Sequence, residues 1–513
     1  MNLTINSYDT RTRGVHFNGA LDGVVTGALK TLDMNDMANA VLIDLGAMVL
    51  PRSYYDYNNR NKEAGFETFF REISGTFINC LSAGLFAVGI SHLLSKRVMP
   101  DVNIRPDTWY SDDSVKVLNN AWNVSGGSVN RYVQNVLNNL SGQDGYRLNR
   151  LENIDWKNVD WIDEKSWDKI HWNNIKYENI KDSLKTKEGV IDTFTEIIKD
   201  NNISKSDKKN ILKIMEARIT NALGANRDLH VELNEAKWSE KLEYILRDTY
   251  DMGKDIFNNK NVKVEEALKK VAKLNRIKIF GSLACASALG LTNQALNRKL
   301  TEKRTGKKGF VGDVDYNDKP QGQKVNKSKY LWLKKLAASA GMVAMVVSVM
   351  RVKNPKDFVK KLQFTSPVTS GNAIKTVYAS TIVGRFLAAD NDTELRESVT
   401  RDYFGFLNWL VFGGFAAKGV ANLLDKDRTI LFNITKDGKG LKHWLNDIHL
   451  KTHSEIAAKG KAFAKKNMWK LNVAHASGLL YSAVTLGYLL PMINDKLTKK
   501  KSKKTQLKSQ PLS

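Results

Sequence analysis

Stretches of uncharged residues alternate along this chain with strongly polar ones. Residues 73–94 carry no Asp, Glu, Lys or Arg, and shorter apolar stretches cover 279–297, 336–350 and 404–424. An α-helix rises about 1.5 Å per residue, so about 20 residues cross a hydrocarbon layer of about 30 Å. The pattern predicts an all-α protein whose most apolar helices lie in a membrane.

Comparison of the chain with itself reveals two matches in the same order. Residues 71–94 align without a gap to 401–424, and the residues from Gly281 align to those from Gly478. The aligned pairs include Arg71 with Arg401, Glu72 with Asp402, Glu67 with Glu397, Gly75 with Gly405, Gly290 with Gly487, and Asn297 with Asn494; further upstream, after a small shift, Arg52 aligns with Arg385. Two ordered matches predict an internal duplication, in which each half carries three hydrophobic helices.

The predicted organisation follows from this duplication. We expect a flexible N-terminus (1–17), the first hydrophobic helices (18–95), a polar, mainly helical insertion (96–275), the last helix of the first half (276–304), a flexible linker (305–328), an additional hydrophobic helix (329–354), the three helices of the second half (355–495) and a basic, disordered tail (496–513). The predicted fold class is therefore a polytopic membrane helix bundle built from two related halves.

Helix composition favours lipid over a water-soluble core. The apolar stretches are dense in Gly, Ala and Ser, and glycine costs about 1 kcal/mol against alanine in a soluble helix, whereas in lipid it lets helices pack closely. Basic residues flank nearly every stretch, so the positive-inside rule gives no orientation. We favour an integral membrane protein, and the alternative is a soluble or peripheral all-helical protein.

Net charge points to anionic partners. The chain has 79 Lys and Arg against 54 Asp and Glu, a formal net charge of +25. Such an excess favours anionic lipid headgroups or nucleic acid. Because the lysines are spread through the loops, we expect membrane lipids as the partner and regard nucleic acid as the less favoured one. A protein partner bound through the insertion 96–275 is a further hypothesis.

An aromatic segment within the insertion repeats every five residues. Residues 152–182 place Ile or Val in one phase, and Trp156, Trp161, Trp167, Trp172 and Tyr177 in the other. The repeat resembles a pentapeptide β-solenoid, but a turn and a half of solenoid is too short to close a stable core. We favour an aromatic strap packed along the helices, and an aromatic platform for a ligand is the remaining alternative.

Catalytic and cofactor motifs are missing from the sequence. It contains no phosphate-binding glycine loop, GxSxG, HExxH or CxxC, and Cys80 and Cys285 are too few for a disulfide framework. His449 and His453 are four residues apart on a predicted helix, and Glu394 with Glu397 resembles part of a di-iron set, but further ligands are lacking. We predict no enzyme activity, cofactor or metal site, and no cleavable signal peptide.

The candidate site consists of charged residues that recur in both halves. Glu67, Arg71 and Glu72 align with Glu397, Arg401 and Asp402, and further charges within apolar stretches are Asp44, Arg52, Arg385 and Lys418. As structural elements, Glu and Arg four residues apart would form ion pairs on one helix face. As functional elements, Arg71 and Arg401 would be pseudo-symmetric partners near a central pathway.

These features predict a membrane-embedded protein of unknown substrate. It would be transporter-like or a membrane-organising scaffold, since duplicated helix sets commonly enclose a site between the repeats. The alternative is a soluble or peripheral protein that binds anionic lipid surfaces or nucleic acid through its basic segments.

Overall fold

Helices dominate the architecture, as the sequence predicts. The computed structural model describes residues 26–29, 36–98, 110–142, 154–159, 180–200, 202–223, 230–233, 238–322, 328–363, 371–434, 438–459 and 461–509. Within these residues, one apolar core belongs to the polar insertion, a second lies among the hydrophobic helices, and a small third one lies near residues 421–474. The predicted N-terminal segment 1–17 lies outside the described residues.

Two long helices follow a short helical segment at residues 26–29. Helix α1 comprises Asp36–Ile43, a π-helical turn at Asp44–Val49, and Leu50–Asn59; helix α2 comprises Lys62–Phe77, a π-helical turn at Ile78–Ser82, and Ala83–Val98. The side chain of Asn61 caps α2 by accepting a hydrogen bond from the amide of Ala64 at 2.7 Å. Gly65 permits the tight α1–α2 hairpin, because a Cβ there would lie 2.5 Å from the Cβ of Tyr57.

The insertion folds around a conventional apolar core. Its elements are α3 (Asp112–Val124), α4 (Val129–Asn138), β1 (Leu140–Gly142), a 3-10 turn (Trp156–Asn158), α5 (Ile180–Ser183), α6 (Lys187–Lys199), α7 (Lys205–Ala222), β2 (His230–Leu233), β3 (Trp238–Lys241) and α8 (Leu242–Met252, then a π-helical turn at Gly253–Phe257). The three strands form an antiparallel sheet in the order β1-β2-β3. Trp156 is buried in this core, whereas residues 160–179 of the aromatic segment lie outside the described residues.

One continuous helix joins the insertion to the hydrophobic helices. Helix α9 spans Val264–Thr305, 42 residues, or roughly 63 Å at 1.5 Å per residue. Its start contributes Val271 to the insertion core, and its middle contributes Leu283 to the hydrophobic helices. The boundary expected at residues 275 and 276 therefore falls inside a helix, because the polar start of α9 continues the apolar part without a helix-breaking residue.

Residues 306–322 form packed structure in place of the expected flexible linker. Tyr316 and Val311 are buried together with Ala64 from α2, and Asn61 Nδ2 donates to the carbonyl oxygen of Val311 at 2.8 Å. The few apolar residues in this polar segment therefore anchor it against α2. Residues 323–327 lie outside the described residues.

The remaining elements follow in a similar helical style. They are α10 (Leu331–Val349), α11 (Pro355–Lys361), α12 (Gly371–Ala388), α13 (Asp392–Leu407, a π-helical turn at Asn408–Phe412, and Gly413–Leu424), β4 (Phe432–Ile434), α14 (Gly440–Asn446), β5 (Ile448–Leu450), α15 (His453–Ala458) and α16 (Lys461–Val484, a π-helical turn at Thr485–Leu489, and Leu490–Ser509). Strands β4 and β5 pair in antiparallel fashion. The basic tail, expected to be disordered from residue 496, continues α16 as far as Ser509, because lysine and glutamine favour a helix that is already nucleated.

Among the residues that the structure describes, four helices are long and apolar enough to cross a membrane. The candidate spans are Lys62–Leu94, Val264–Thr305, Leu331–Val349 and Ala462–Lys500. In the most apolar part of each span, 44%, 39%, 11% and 33% of the residues, respectively, are buried inside the protein. Large apolar side chains on these helices are exposed, among them Leu85, Trp332 and Leu480. Much of the apolar surface of these helices therefore faces outward.

Candidate functional site

Six charged side chains meet inside the hydrophobic helices and form what we call the central cluster. Its members are Arg52 from α1, Arg71 and Glu72 from α2, Arg385 from α12, and Arg401 and Asp402 from α13. All six are buried. Charged residues are almost never buried unless they are paired, so such a concentration calls for a specific arrangement of partners.

Glu72 lies at the middle of the central cluster. Its Oε1 atom is 3.4 Å from Arg52 Nη1 and 3.4 Å from Arg71 Nε, and its Oε2 atom is 3.3 Å from Arg385 Nη2. One carboxylate therefore contacts three guanidinium groups, which belong to the three helices α1, α2 and α12. Because Glu72 lies on α2 and Arg385 lies on α12, the cluster connects segments that are far apart in the sequence.

Asp402 plays the corresponding part on α13. Its Oδ1 atom is 2.9 Å from Arg385 Nη1 and 3.5 Å from Arg401 Nε. Arg385 thus bridges the two carboxylates, and Arg52 donates a further hydrogen bond from Nε to the carbonyl oxygen of Leu486 on α16 at 2.8 Å. The cluster is continuous from α1 to α13.

Two glycines give the guanidinium groups room. A Cβ at Gly75 would lie 3.3 Å from Arg385 Nη2, and a Cβ at Gly405 would lie 3.6 Å from Arg52 Nη2. Each glycine is placed one helical turn after a cluster arginine, on the same face of its helix. The approach is tight at Gly75, whereas a Cβ at Gly405 would make an ordinary van der Waals contact with Arg52.

A second group of charges, the flanking cluster, lies beside the first and consists of Asp56, Arg60, Glu397 and Asp495. Arg60 Nη1 is 2.8 Å from Glu397 Oε1, Arg60 Nε is 3.1 Å from Asp56 Oδ1 and 3.7 Å from Asp495 Oδ1. Thr68 joins the two clusters, since it donates to Asp56 Oδ2 at 2.7 Å and accepts from Arg71 Nη2 at 3.0 Å. Sequence reasoning missed Arg60 and Asp56, which lie in a polar stretch with no distinguishing signal.

The two aligned glutamates have partners other than the arginines four residues later. Glu67 Oε1 accepts from Gln294 Nε2 at 3.4 Å, and Glu397 pairs with Arg60. The i,i+4 ion pairs expected on the helix surface are replaced by these contacts, because the helix starts are buried against other helices. Their backbone carbonyl oxygens also accept side-chain hydrogen bonds, from Asn297 to Glu67 at 3.1 Å and from Asn494 to Glu397 at 3.3 Å.

The remaining predicted charges divide between two places. Asp44 is buried on the π-helical turn of α1, within electrostatic reach of Glu72, Arg52 and Arg385. Lys418 lies apart from the central cluster: its Nζ atom donates to the carbonyl oxygen of Trp444 and lies 4.3 Å from the centroid of that ring. Lys418 therefore contacts Trp444, which packs against the small third core, whereas Asp44 borders the central cluster.

Helices α2 and α13 have the same N-terminal cap and the same π-helical turn at aligned positions. Each begins after an asparagine cap, Asn61 and Asn391, whose side chain accepts a backbone hydrogen bond at 2.7 Å and 2.8 Å. Each continues for 16 residues and then enters a five-residue π-helical turn. π-Helical turns are rare and occur frequently at functional sites.

The candidate metal ligands are not assembled. His449 lies exposed on β5 and His453 begins α15, so the two do not share the helix expected from the sequence, because residues 448–450 pair with β4. Glu394 pairs with Arg298 at 3.3 Å. Among the residues that the structure describes, no group of three or more His, Cys, Asp or Glu could hold a metal ion. Cys80 is buried on α2, whereas Cys285 is exposed on α9.

The chain matches no protein-family model, no curated protein and no solved structure. The properties of the charged clusters therefore carry the functional argument. Arginine stays protonated and offers several fixed donors. A carboxylate held by two or three guanidinium groups is stabilised as an anion. The central cluster is thus suited to binding charge or to joining helices.

Proposed function

We propose that this protein is an integral membrane protein. The supporting observation is the reversal of the polarity expected for a soluble protein: charged residues are buried between the helices, and large apolar residues face outward. Leu50, Leu85, Trp332 and Leu480 are 62%, 59%, 62% and 66% exposed, whereas Arg52 is 2% exposed. In water this distribution would leave a large apolar surface uncovered, but in lipid that surface is solvated.

We further propose that two related halves build the membrane domain. The support lies in contacts that recur at aligned positions. Arg52 pairs with Glu72 as Arg385 pairs with Asp402, and Asn297 binds the carbonyl of Glu67 as Asn494 binds that of Glu397. The close approaches of Gly75 to Arg385 and of Gly405 to Arg52 also correspond.

The halves in this proposal interlock. Gly290 of α9 lies against Thr381 of α12, where an added Cβ would be 3.1 Å from the Thr381 backbone nitrogen. Gly487 of α16 lies against Ala47 of α1, where an added Cβ would be 2.7 Å from the Ala47 carbonyl oxygen. The last helix of each half therefore packs on the first helix of the other. In this proposal, the pseudo-symmetry axis runs between Arg71 and Arg401, through the central cluster.

We propose a transporter-like function for this arrangement. Duplicated membrane proteins often bind substrate at the interface of the repeats and expose it alternately to the two sides. The π-helical turns in α1, α2, α13 and α16 supply local weak points in helices that would have to move. A membrane-organising scaffold is the second candidate, favoured by the buried ion pairs Arg385–Glu72 and Arg60–Glu397, which join the halves.

Membrane insertion is tested by alkaline carbonate extraction of membranes from cells that produce the full chain. We expect the protein to stay in the membrane pellet together with a known integral marker. Release into the supernatant would overturn the membrane proposal and favour the peripheral alternative, in which basic segments bind anionic lipid or nucleic acid.

The transporter and the scaffold differ in their motion. Spin labels are introduced by Gly89→Cys and Gly419→Cys in a background with Cys80→Ala and Cys285→Ala; a Cβ at either glycine meets nothing within 4 Å. The distance between the labels is then measured in lipid bilayers. We expect two distance populations for a transporter that alternates between states, and a single narrow population would favour the scaffold.

A further inference from the structure

Positive and negative groups do not balance within the central cluster. Its four guanidinium groups share two carboxylates within 4.0 Å, those of Glu72 and Asp402. With the neighbouring Asp44 included, four arginines face three acids; Glu67 is also within electrostatic reach of Arg71, but its carboxylate accepts from Gln294 and has no arginine within 4.0 Å among the described residues. The flanking cluster has the opposite excess, because Arg60 faces three carboxylates. The surplus positive charge is therefore concentrated at the centre, between the four helices that supply the cluster.

Two donors in the central cluster have no acceptor. Arg52 Nη2 and Arg385 Nε are buried, and neither has a hydrogen-bond partner among the described residues. A buried, charged donor without an acceptor is strongly unfavourable. These two arginines belong to different helices, α1 and α12, and each contacts the carboxylate of Glu72 through another of its nitrogens, Arg52 Nη1 and Arg385 Nη2.

Unused acceptors accompany these donors. Asp402 Oδ2 and Asp44 Oδ1 are also buried without a hydrogen-bond partner among the described residues. The other oxygen of Asp402 is 2.9 Å from Arg385 Nη1, so the unused acceptor and the unused donor Nε belong to one ion pair. A species that both accepts from guanidinium groups and donates to a carboxylate would satisfy both kinds of atom.

We infer that the central cluster binds a phosphate that carries at least one hydroxyl group. Phosphate oxygens accept hydrogen bonds from guanidinium groups in a geometry that the planar fork of arginine matches. The phosphate hydroxyl would donate to an unused carboxylate oxygen of Asp402 or Asp44. The inference rests on the proposed membrane function, since it names the substrate class of that same cluster.

Other charged ligands suit the cluster less well. A cation would meet four guanidinium groups, and each central carboxylate is already held by two or three of them. Sulfate has the charge and shape of phosphate but no hydroxyl at neutral pH, so it would bring only acceptors to the carboxylate oxygens. A preference for phosphate over sulfate is therefore the specific signature of this site.

Binding is measured on the purified full-length protein in detergent, as the shift of its unfolding temperature with added sodium phosphate at constant ionic strength. We expect a saturable rise, because a ligand that binds only the folded state stabilises it. Sodium sulfate is expected to give a smaller rise, and sodium chloride none. Two outcomes would overturn the inference. One is the absence of a saturable rise with both phosphate and phosphatidic acid, and the other is an equal rise with phosphate and sulfate.

The phosphate could come from solution or from a lipid with a phosphomonoester headgroup. A parallel series therefore adds phosphatidic acid in mixed micelles, with phosphatidylglycerol, a phosphodiester without a phosphate hydroxyl, as its control. A shift with inorganic phosphate identifies a free anion, and a shift with phosphatidic acid alone identifies a lipid headgroup. Both results support the phosphate chemistry, and an equal response to phosphatidylglycerol contradicts it.

Substitutions locate the binding to the cluster. Arg52→Lys with Arg385→Lys keeps the charge but removes the guanidinium forks, and we expect at least a tenfold loss of phosphate affinity. Arg304→Lys is the matched control, because Arg304 pairs with Glu63 at the protein surface. A phosphate response that is the same in the double variant and in the control would place binding elsewhere and overturn the inference.

A milder pair of variants covers the case in which the double variant does not fold. Gly75→Ala adds a methyl group 3.3 Å from Arg385 Nη2, whereas Gly89→Ala meets nothing within 4 Å. We expect severalfold weaker phosphate binding in the first and no change in the second. Equal affinities would contradict the inference. Carbonate extraction of the same preparations separates the two proposals, since a failure to bind phosphate leaves membrane retention unaffected.

Discussion

Arg385 and Glu72 are 313 residues apart in the chain, yet Arg385 Nη2 lies 3.3 Å from Glu72 Oε2. Their side chains are 2% and 6% exposed, respectively. The contact joins α12 to α2, and Glu72 also holds Arg52 and Arg71. Glu72 is therefore the acid on which most of the central cluster depends.

Replacement of Glu72 by glutamine is expected to destabilise the protein strongly. The substitution leaves Arg52 and Arg71 buried without their carboxylate, and removal of one partner from a buried ion pair costs about 3–5 kcal/mol. The free energy of unfolding is measured by denaturant titration of the purified protein in detergent. Glu63→Gln is the control: Glu63 pairs with Arg304 where the side chains are 31% and 39% exposed, so a change of about 1 kcal/mol or less is expected. Similar losses in both variants would refute the central position of Glu72.

Gly384→Ala is expected to force α9 and α12 apart. A Cβ at Gly384 would lie 2.5 Å from the carbonyl oxygen of Leu291 and 2.7 Å from its Cα, and backbone atoms cannot turn away as a side chain can. Overpacking of this kind costs about 1–3 kcal/mol. The unfolding temperature should fall, whereas Gly419→Ala, where a Cβ meets nothing within 4 Å, should leave it unchanged or raise it. An unchanged unfolding temperature in Gly384→Ala would show that α9 and α12 can move apart without loss of stability.

The sequence was sufficient to locate the apolar helices. The uncharged stretch 73–94 lies within α2, and the stretch 336–350 nearly coincides with α10, because long apolar runs bounded by charge mark buried or lipid-facing helices in any context. The all-α class is thereby confirmed. Self-comparison also selected the charged residues of the central cluster, since they recur at aligned positions.

Other parts of the site depend on packing between distant segments. Arg60 and Asp56 stand in a polar stretch of ordinary composition, and they are buried only because Glu397 and Asp495 meet them across the fold. Tyr316 lies in a segment rich in Gly, Asp and Lys, and its burial against α2 is likewise a long-range effect. Local pattern carries no signal for such contacts, so sequence reasoning did not single out Asp56 or Arg60 and assigned Tyr316 to the linker 305–328.

Asp248 in the insertion is expected to make stability depend on pH. Its Oδ1 atom accepts from Arg247 Nη2 at 2.9 Å, yet burial, the largest influence, raises the pKa of Asp248 from 3.8 to about 7. The folded state therefore binds the proton more tightly than the unfolded state. Protonation of Asp248 therefore adds to the free energy of unfolding. This contribution is fully present below pH 3.8 and is lost as the pH rises through about 7.

The measurement is pulse proteolysis of the full-length protein in urea, with the insertion fragments followed between pH 5 and 8. Asp248→Asn stays neutral and keeps an oxygen for Arg247, so it should remove this contribution, which for one proton is at most about 1.4 kcal/mol per pH unit. The variant should also be the more stable protein at pH 8. If the pH dependence of the variant matched that of the original chain, another group would be responsible.

Arg218 is expected to hold the start of the aromatic segment against the helices of the insertion. The residue is 1% exposed on α7, and its guanidinium group donates to the carbonyl oxygens of Leu184, Val159 and Trp156. These carbonyls belong to two separate segments, 154–159 and 180–184. Arg218→Lys supplies a single ammonium group, which cannot reach all of them, and each buried carbonyl left without a donor costs about 1–3 kcal/mol.

Hydrogen exchange of the full-length protein, followed by mass spectrometry, tests this role directly. In Arg218→Lys, exchange should become faster in residues 154–159 and around Leu184, because both segments lose a shared anchor. Arg131→Lys, an exposed position on α4, should leave the same peptides unchanged. Trp156 is buried in the insertion core. If Arg218 holds this segment in place, the loss of its guanidinium group should loosen the packing of Trp156. Unchanged exchange at 154–159 in the Arg218 variant would mean that the aromatic packing alone holds the segment in place.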